Sequence, residues 1–178
     1  MEYTLRETVA PEGYAVATDT KFTIDETGNV TSTGTISEDG VLLVEDTKTR
    51  VSINIIDSVT GDILEGAHIQ LIDVNGNVIE EWISTSQPHE IVGLKTKEEY
   101  TIHEIVAPEG HILAPDSTFT IEENGDVTGL VSEDDVVLLE DARTKVSISK
   151  VDIADGEEIE GAHIQIIEKD KDGNETIV

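Results

Sequence analysis

Through most of this chain apolar residues recur at every second position, the period of a strand with one buried face. Val51, Ile53 and Ile55 alternate with Ser52 and Asn54, and Ala67, Ile69 and Leu71 alternate with His68 and Gln70. The same alternation predicts strands at Val78–Thr85, His89–Gly93, Tyr100–Ile105, Ser117–Ile121 and Val136–Asp141. Turn signals fall between them at Thr60-Gly61, Asn75-Gly76, Pro108-Glu109-Gly110 and Asn124-Gly125. No segment carries a convincing helical period. About seven short strands in a stretch of roughly 95 residues predict an all-β fold, a β-sandwich.

The sandwich is repeated. Thr49–Asp73 returns as Thr144–Glu168, and Tyr3–Gly13 (YTLRETVAPEG) returns as Tyr100–Gly110 (YTIHEIVAPEG). Phe22, Gly28 and Asp46 correspond in the same way to Phe119, Gly125 and Asp141. The expected organisation is therefore 1–48, the back half of a first repeat; 49–143, a complete repeat; and 144–178, the front half of a third. Lys48, Arg50, Arg143 and Lys145 crowd the two junctions. Such short connections predict neighbouring modules held close in a semi-rigid line, with the basic charges also offsetting the acidic modules.

Composition narrows the function. Among 178 residues, 39 are acidic and 11 basic, a formal charge of -28, which argues against nucleic acid or an anionic membrane as partner. With 37% hydrophobic residues in strand order, the chain reads as folded rather than disordered. There is no cysteine, so disulfides, thiol catalysis and thiolate metal sites are excluded. No apolar run approaches the ~18 residues of a membrane span, and no basic-then-apolar leader is present, so this segment is not expected to insert in a membrane. Nothing calls for a cofactor or a metal.

Three kinds of ionisable side chain break the alternation. Tyr100, Ile102 and Glu104 share an apolar face, as do Tyr3, Leu5 and Glu7. Leu42, Val44 and Asp46 share another, as do Val137, Leu139 and Asp141. Val146, Ile148 and Lys150 share a third, where the complete repeat has Ile55 in the lysine position. A repeat holding all three would turn a lysine, a glutamate and an aspartate into one core. Two arrangements satisfy such a trio: a buried ion cluster, or covalent chemistry. In the second, burial leaves the lysine a neutral amine, the amine attacks the aspartyl carbon, a protonated glutamate relays protons, and water leaves. The product is an amide between side chains, made once and not turned over, so no enzyme activity beyond a single self-directed event is expected.

Other signals are weaker. Glu168-x-Asp170-x-Asp172-Gly173 has a partial look of a calcium loop, but its counterpart Asp73–Asn77 is an Asn-Gly hairpin, and a hairpin is expected here too. His68 and His163 are expected at exposed strand positions, His89 in a turn or packing role, and Trp82 as a core or cap residue.

VSISKVD at 146–152, EGAHIQ at 65–70 and 160–165, QPHEIVGL at 87–94, and above all YTLRETVAPEGY at 3–14 and YTIHEIVAPEGH at 100–111 resemble the Cna B-type and SpaA-like pilin modules of Gram-positive surface proteins. The resemblance covers essentially the whole chain. It implies tandem prealbumin-like sandwiches forming a structural stalk or spacer, extracellular and attached to the cell wall or cell surface. It also implies an isopeptide triad in which Glu7 and Glu104 are the proton-relaying acids, Lys150 the nucleophile, and Asp46 and Asp141 the acceptors. Because Ile55 replaces the lysine, Asp141 is expected to stay unlinked. The implied partners are neighbouring repeats of the same polypeptide. An adhesin-type module is the alternative, with a host or glycan ligand read by loops such as Ser84–His89.

Overall fold

Val, Ile and Thr pack well on a pleated surface, and they fill the alternating segments of this sequence. In the computed structural model of the chain, every regular element among the described residues is a strand. The structure describes residues 1–177. Before the complete repeat lie β1 (Glu2–Leu5), β2 (Tyr14–Ala15), β3 (Thr20–Ile24), β4 (Val30–Ser32) and β5 (Thr47–Lys48). The complete repeat contributes β6 (Arg50–Asp57), β7 (His68–Ile72), β8 (Val78–Ile83), β9 (His89–Val92) and β10 (Glu99–Val106). It continues with β11 (His111–Ile112), β12 (Ser117–Ile121), β13 (Val127–Gly129) and β14 (Val136–Arg143). A hairpin follows, β15 (Ile167–Lys169) with β16 (Glu175–Ile177). The chain forms two compact units, Met1–Thr144 and Lys145–Val178.

Within the complete repeat two sheets enclose one core. The five-stranded sheet has the order β13-β12-β10-β7-β8, and the four-stranded sheet β11-β14-β6-β9. Val51, Ile53 and Ile55 from β6 and Val137 and Leu139 from β14 meet Ile69, Leu71, Tyr100, Ile102, Phe119 and Ile121 from the facing sheet. The all-β sandwich anticipated from the alternation is what forms. β11 and β13 were not anticipated, because two or three residues are too few to display a period.

One pairing stands apart. β6 and β14, the first and last strands of the repeat, run parallel, with Ser52 opposite Val136 and Asp57 opposite Asp141. Every other ladder among the described residues is antiparallel. A parallel pair needs a long crossover between its strands, and here the body of the repeat is that crossover.

Residues 1–48 reproduce part of this pattern, as the sheet β1-β3-β4 with Tyr3 stacked on Phe22 as Tyr100 is on Phe119. Leu42, Val44 and Asp46 do not form the strand their alternation predicts, and Leu42 makes only an isolated bridge to Ile36. Their counterpart β14 exists against β6, and residues 1–48 contain no counterpart of β6.

Candidate functional site

Glu104 lies inside because its strand leaves it no other face. Tyr100, Ile102 and Glu104 alternate along β10 and are 2%, 0% and 3% exposed. The register between β10 and β7 shifts immediately after Glu104, so that Val106 rather than Ile105 pairs with His68. Such a bulge turns the strand at the point where the glutamate enters the core. The Ala-Pro-Glu-Gly turn then reverses the chain, with the His111 N–H donating to the Pro108 carbonyl at 3.1 Å and Gly110 at φ 79°. This reversal brings back the Ala114 N–H, which donates to Glu104 Oε2 at 2.8 Å.

Asp141 faces it from β14, fully buried after Val137 and Leu139. Neither of its oxygens has a donor among the protein groups, and Glu104 Oε1 has none either. The pair is satisfied when one proton is shared between the two carboxyls. Burial, then the charge of Glu104, pushes the Asp141 carboxyl up to about 7. Burial also raises Glu104, with the Ala114 N–H pulling it partly back.

The third position holds Ile55, 2% exposed and opposite Leu139 in the parallel ladder. On the shared core face it is one pleat from Asp141. A family model for the SpaA prealbumin-like fold domain matches residues 49–135. Residues 49–135, nearly all of the complete repeat, thus match a SpaA-type prealbumin-like domain. The chain is also similar to the shaft pilin SpaA of Lactobacillus rhamnosus GG, at 14% identity and TM-score 0.45 over 83% of this chain and 66% of that one. Against the pilus adhesin SpaC of the same organism, in an open conformation, the figures are 18% and 0.43, over 83% of this chain and 25% of that one. The group B streptococcus pilus 2b backbone protein gives 18% and 0.42, over 78% of this chain and 52% of that one. This chain thus spans a quarter of the SpaC structure and about two thirds of the SpaA one. No curated protein matches it.

The acid pair of the SpaA-type domain has a counterpart in residues 1–48. Glu7 Oε2 accepts the Ala17 N–H at 2.7 Å, as Glu104 accepts that of Ala114. Burial and then the charge of Glu7 raise the Asp46 carboxyl, whose Oδ1 has no donor. Lys150 is placed differently from its anticipated position on a strand's apolar face. It is exposed, residues 144–150 form no strand, and its carbonyl accepts the Ile159 N–H at 2.8 Å. In the SpaA-type domain the equivalent strand β6 is held between β14 and β9. Among the described residues after 144 there is no counterpart of either.

Beside the acid pair of the SpaA-type domain lies a second ionic group that the sequence reading did not single out. Asp57, 1% exposed, ends β6 on the same face as Ile55. Its Oδ1 accepts the Val59 and Thr60 N–H groups at 2.9 and 3.0 Å. Its Oδ2 meets Arg143 Nε and, at 3.3 Å, His111 Nε2. The guanidinium of Arg143, then the two backbone donors, hold the Asp57 carboxyl well below the usual carboxylate range. Arg143 is thereby tied inside its own domain, as Arg50 is to Glu90. The alternation Val51-Ile53-Ile55 continues to Asp57, and that is the signal from which it could have been found.

The remaining candidates are accounted for locally. Trp82 stacks on His89 with ring centroids 4.3 Å apart, and His89 Nε2 meets Glu80 at 2.7 Å. Ser84 is buried, donating to the Leu64 carbonyl and accepting from the Ala67 N–H. The cavity under this Ser84–His89 loop measures about 60 Å³, room for water rather than a sugar ring. His68 pairs with Glu81, and His163 is exposed. Asp170 accepts the N–H groups of Asp172 and Asn174 and the Asn174 amide, the same closure that Asp73 makes with Asn75 and Asn77. Its carboxylate is used up in the hairpin. No group of three or more ligand-type side chains among the described residues is arranged to hold a metal.

Proposed function

We propose that this chain is a stretch of tandem SpaA-type repeats, with the back half of one at 1–48, a complete one at 49–143 and the front half of a third at 144–178, serving as the stalk or spacer of a Gram-positive surface protein or pilin outside the cell. The observation that carries this reading is the parallel register of β6 and β14. The chain enters the complete module at one end of this ladder and leaves it at the other. Tension along the chain therefore shears the pairs from Ser52–Val136 to Asp57–Asp141 together, rather than peeling them one at a time. Such loading suits an extended element under pull.

The same proposal assigns the isopeptide triad. Glu7 and Glu104 are the relaying acids, Asp46 and Asp141 the acceptors, and Lys150 the nucleophile for the acids of whichever back half completes its repeat. Where the triad is whole, the lysine nitrogen bonds to the aspartyl carbon, the carboxyl loses one oxygen, and that oxygen leaves as water with protons passed through the glutamate. A cross-link closing a loop of this size adds roughly 4–5 kcal/mol by analogy with other covalent closures. In 49–143 the bond is absent because Ile55 supplies no amine, and the ladder with its Asp57–Arg143 pair bears the tension alone.

Single-molecule pulling on the full chain tests the stalk reading. The complete module is expected to give way in one abrupt event, at a force well above that for 1–48. Gradual extension at low force, with no discrete event for 49–143, would sink it.

A further inference from the structure

The Ala-Pro-Glu-Gly turn has a part that the acid pair does not use. Glu7 explains the glutamate before the turn, but not the Pro11-Glu12-Gly13 turn itself. In the structure that turn is wedged against the module that follows it. The Gly13 carbonyl accepts the Thr49 N–H at 3.0 Å, and the Thr49 carbonyl in turn accepts the Gly93 N–H at 2.9 Å. Thr49, 2% exposed, donates its hydroxyl to the Leu94 carbonyl at 2.5 Å. On the other side of the turn the Val16 N–H donates to the Glu123 carbonyl at 2.7 Å. Glu12 meets Lys95 at 2.9 Å across the rim.

The fit is close enough to specify residues. A Cβ on Gly13 would lie 2.7 Å from the Gly93 carbonyl oxygen, and one on Gly125 would lie 3.1 Å from the Ala15 methyl. Gly110 provides the contrast. It occupies the same place in the second copy of the turn, and Thr144 meets its carbonyl with both N–H and hydroxyl, at 2.8 and 3.0 Å. Yet Gly110 is exposed and a Cβ there would meet nothing within 4 Å, whereas Gly13 is buried.

We propose that the Gly93–Lys95 and Glu123–Gly125 loops form a socket whose partner is the Pro-Glu-Gly turn of the preceding repeat, which makes the joint between repeats a stiff one. The inference rests on the repeat boundary after Lys48 and on neither the stalk role nor the isopeptide chemistry. Its partner is defined by chemistry: a turn offering a carbonyl at a Cβ-less, positive-φ residue, an acidic side chain before it and a free N–H three residues on.

Hydrogen exchange on the full chain, read at the Val16, Thr49 and Gly93 amides, tests it. In the unaltered chain these amides are expected to be protected, on the order of tenfold or more over the exposed loops. Gly13→Ala and Gly110→Ala carry the same penalty of a side chain at positive φ, 81° and 79°. Only Gly13→Ala is expected to release the three amides, while the β10 amides hold their protection. Thr49→Val, which keeps the shape and removes the hydroxyl, is expected to speed exchange at Val16 and Gly93 and serves if Gly13→Ala fails to fold. Unprotected amides in the unaltered chain, equal effects of the two glycine substitutions, or no change at Val16 and Gly93 in Thr49→Val would overturn the socket. A failed pulling experiment with protected amides would leave it standing.

Discussion

At the scale of single residues, the proposed triad makes the complete repeat a reaction site with one reactant missing. Glu104 keeps its backbone donor and Asp141 its dry pocket, while Ile55 fills the place of the amine. Ile55→Lys is therefore expected to form the bond unaided. Intact-mass measurement should find the full chain lighter by one water, and peptide mapping should join the segments holding residues 55 and 141. Adding Glu104→Gln should restore the full mass, because the proton relay is lost while the shape is kept. A folded Ile55→Lys protein of undiminished mass would refute the assigned roles. The acid pair itself was legible in the sequence, since each carboxyl interrupts a strict apolar alternation. The backbone donor to Glu104 was not, because the Ala114 N–H arrives from beyond the turn.

At the scale of elements, alternation located the seven longer strands but could not say which lie side by side. The parallel β6–β14 pair is invisible to a period of two, since Ile55 and Leu139 look the same whichever strand they face. The tie between these strands was equally hidden. Asp57 and Arg143 stand 86 residues apart in sequence and look like an ordinary turn aspartate and a junction arginine. Their contact fastens the first strand of the repeat to the last. Arg143→Gln leaves Asp57 buried without its cation, and thermal melting should show a loss on the order of 5–10 °C. Arg143→Lys should recover only part of it, because an ammonium keeps the charge but not the planar fork. An unchanged melt for Arg143→Gln would show that β6 and β14 need no such tie.

At the scale of the whole molecule, two buried carboxyls with opposite preferences set the response to pH. Asp141 is raised, so the folded state holds its proton more tightly than the unfolded state does. Its contribution is complete below the ordinary carboxylate pKa of about 4 and is lost as pH rises through about 7. Asp57 is depressed, so its contribution is present above that ordinary value and is lost as pH falls below it. With 39 acidic side chains, mutual repulsion also eases as the medium becomes more acid. The melting temperature should peak near pH 5 and fall toward pH 8, and Asp141→Asn should flatten that fall. A melting temperature that rises from pH 5 to 8 would contradict the pairing of Glu104 with Asp141. The parallel ladder bears, finally, on the order in which the molecule can be made. β6 leaves the synthesis or export machinery first among the strands of its repeat, and the partner for that edge is the last to appear. Until β14 arrives, one side of β6 is an open row of N–H and C=O groups, a template for pairing with any other strand. Closing so long a loop is slow, and each repeat spends its whole emergence unfinished. A chain cut short after Gly129 would therefore lose more than one strand: it would keep a permanently open edge, and aggregation rather than simple loss of stability is its expected fate.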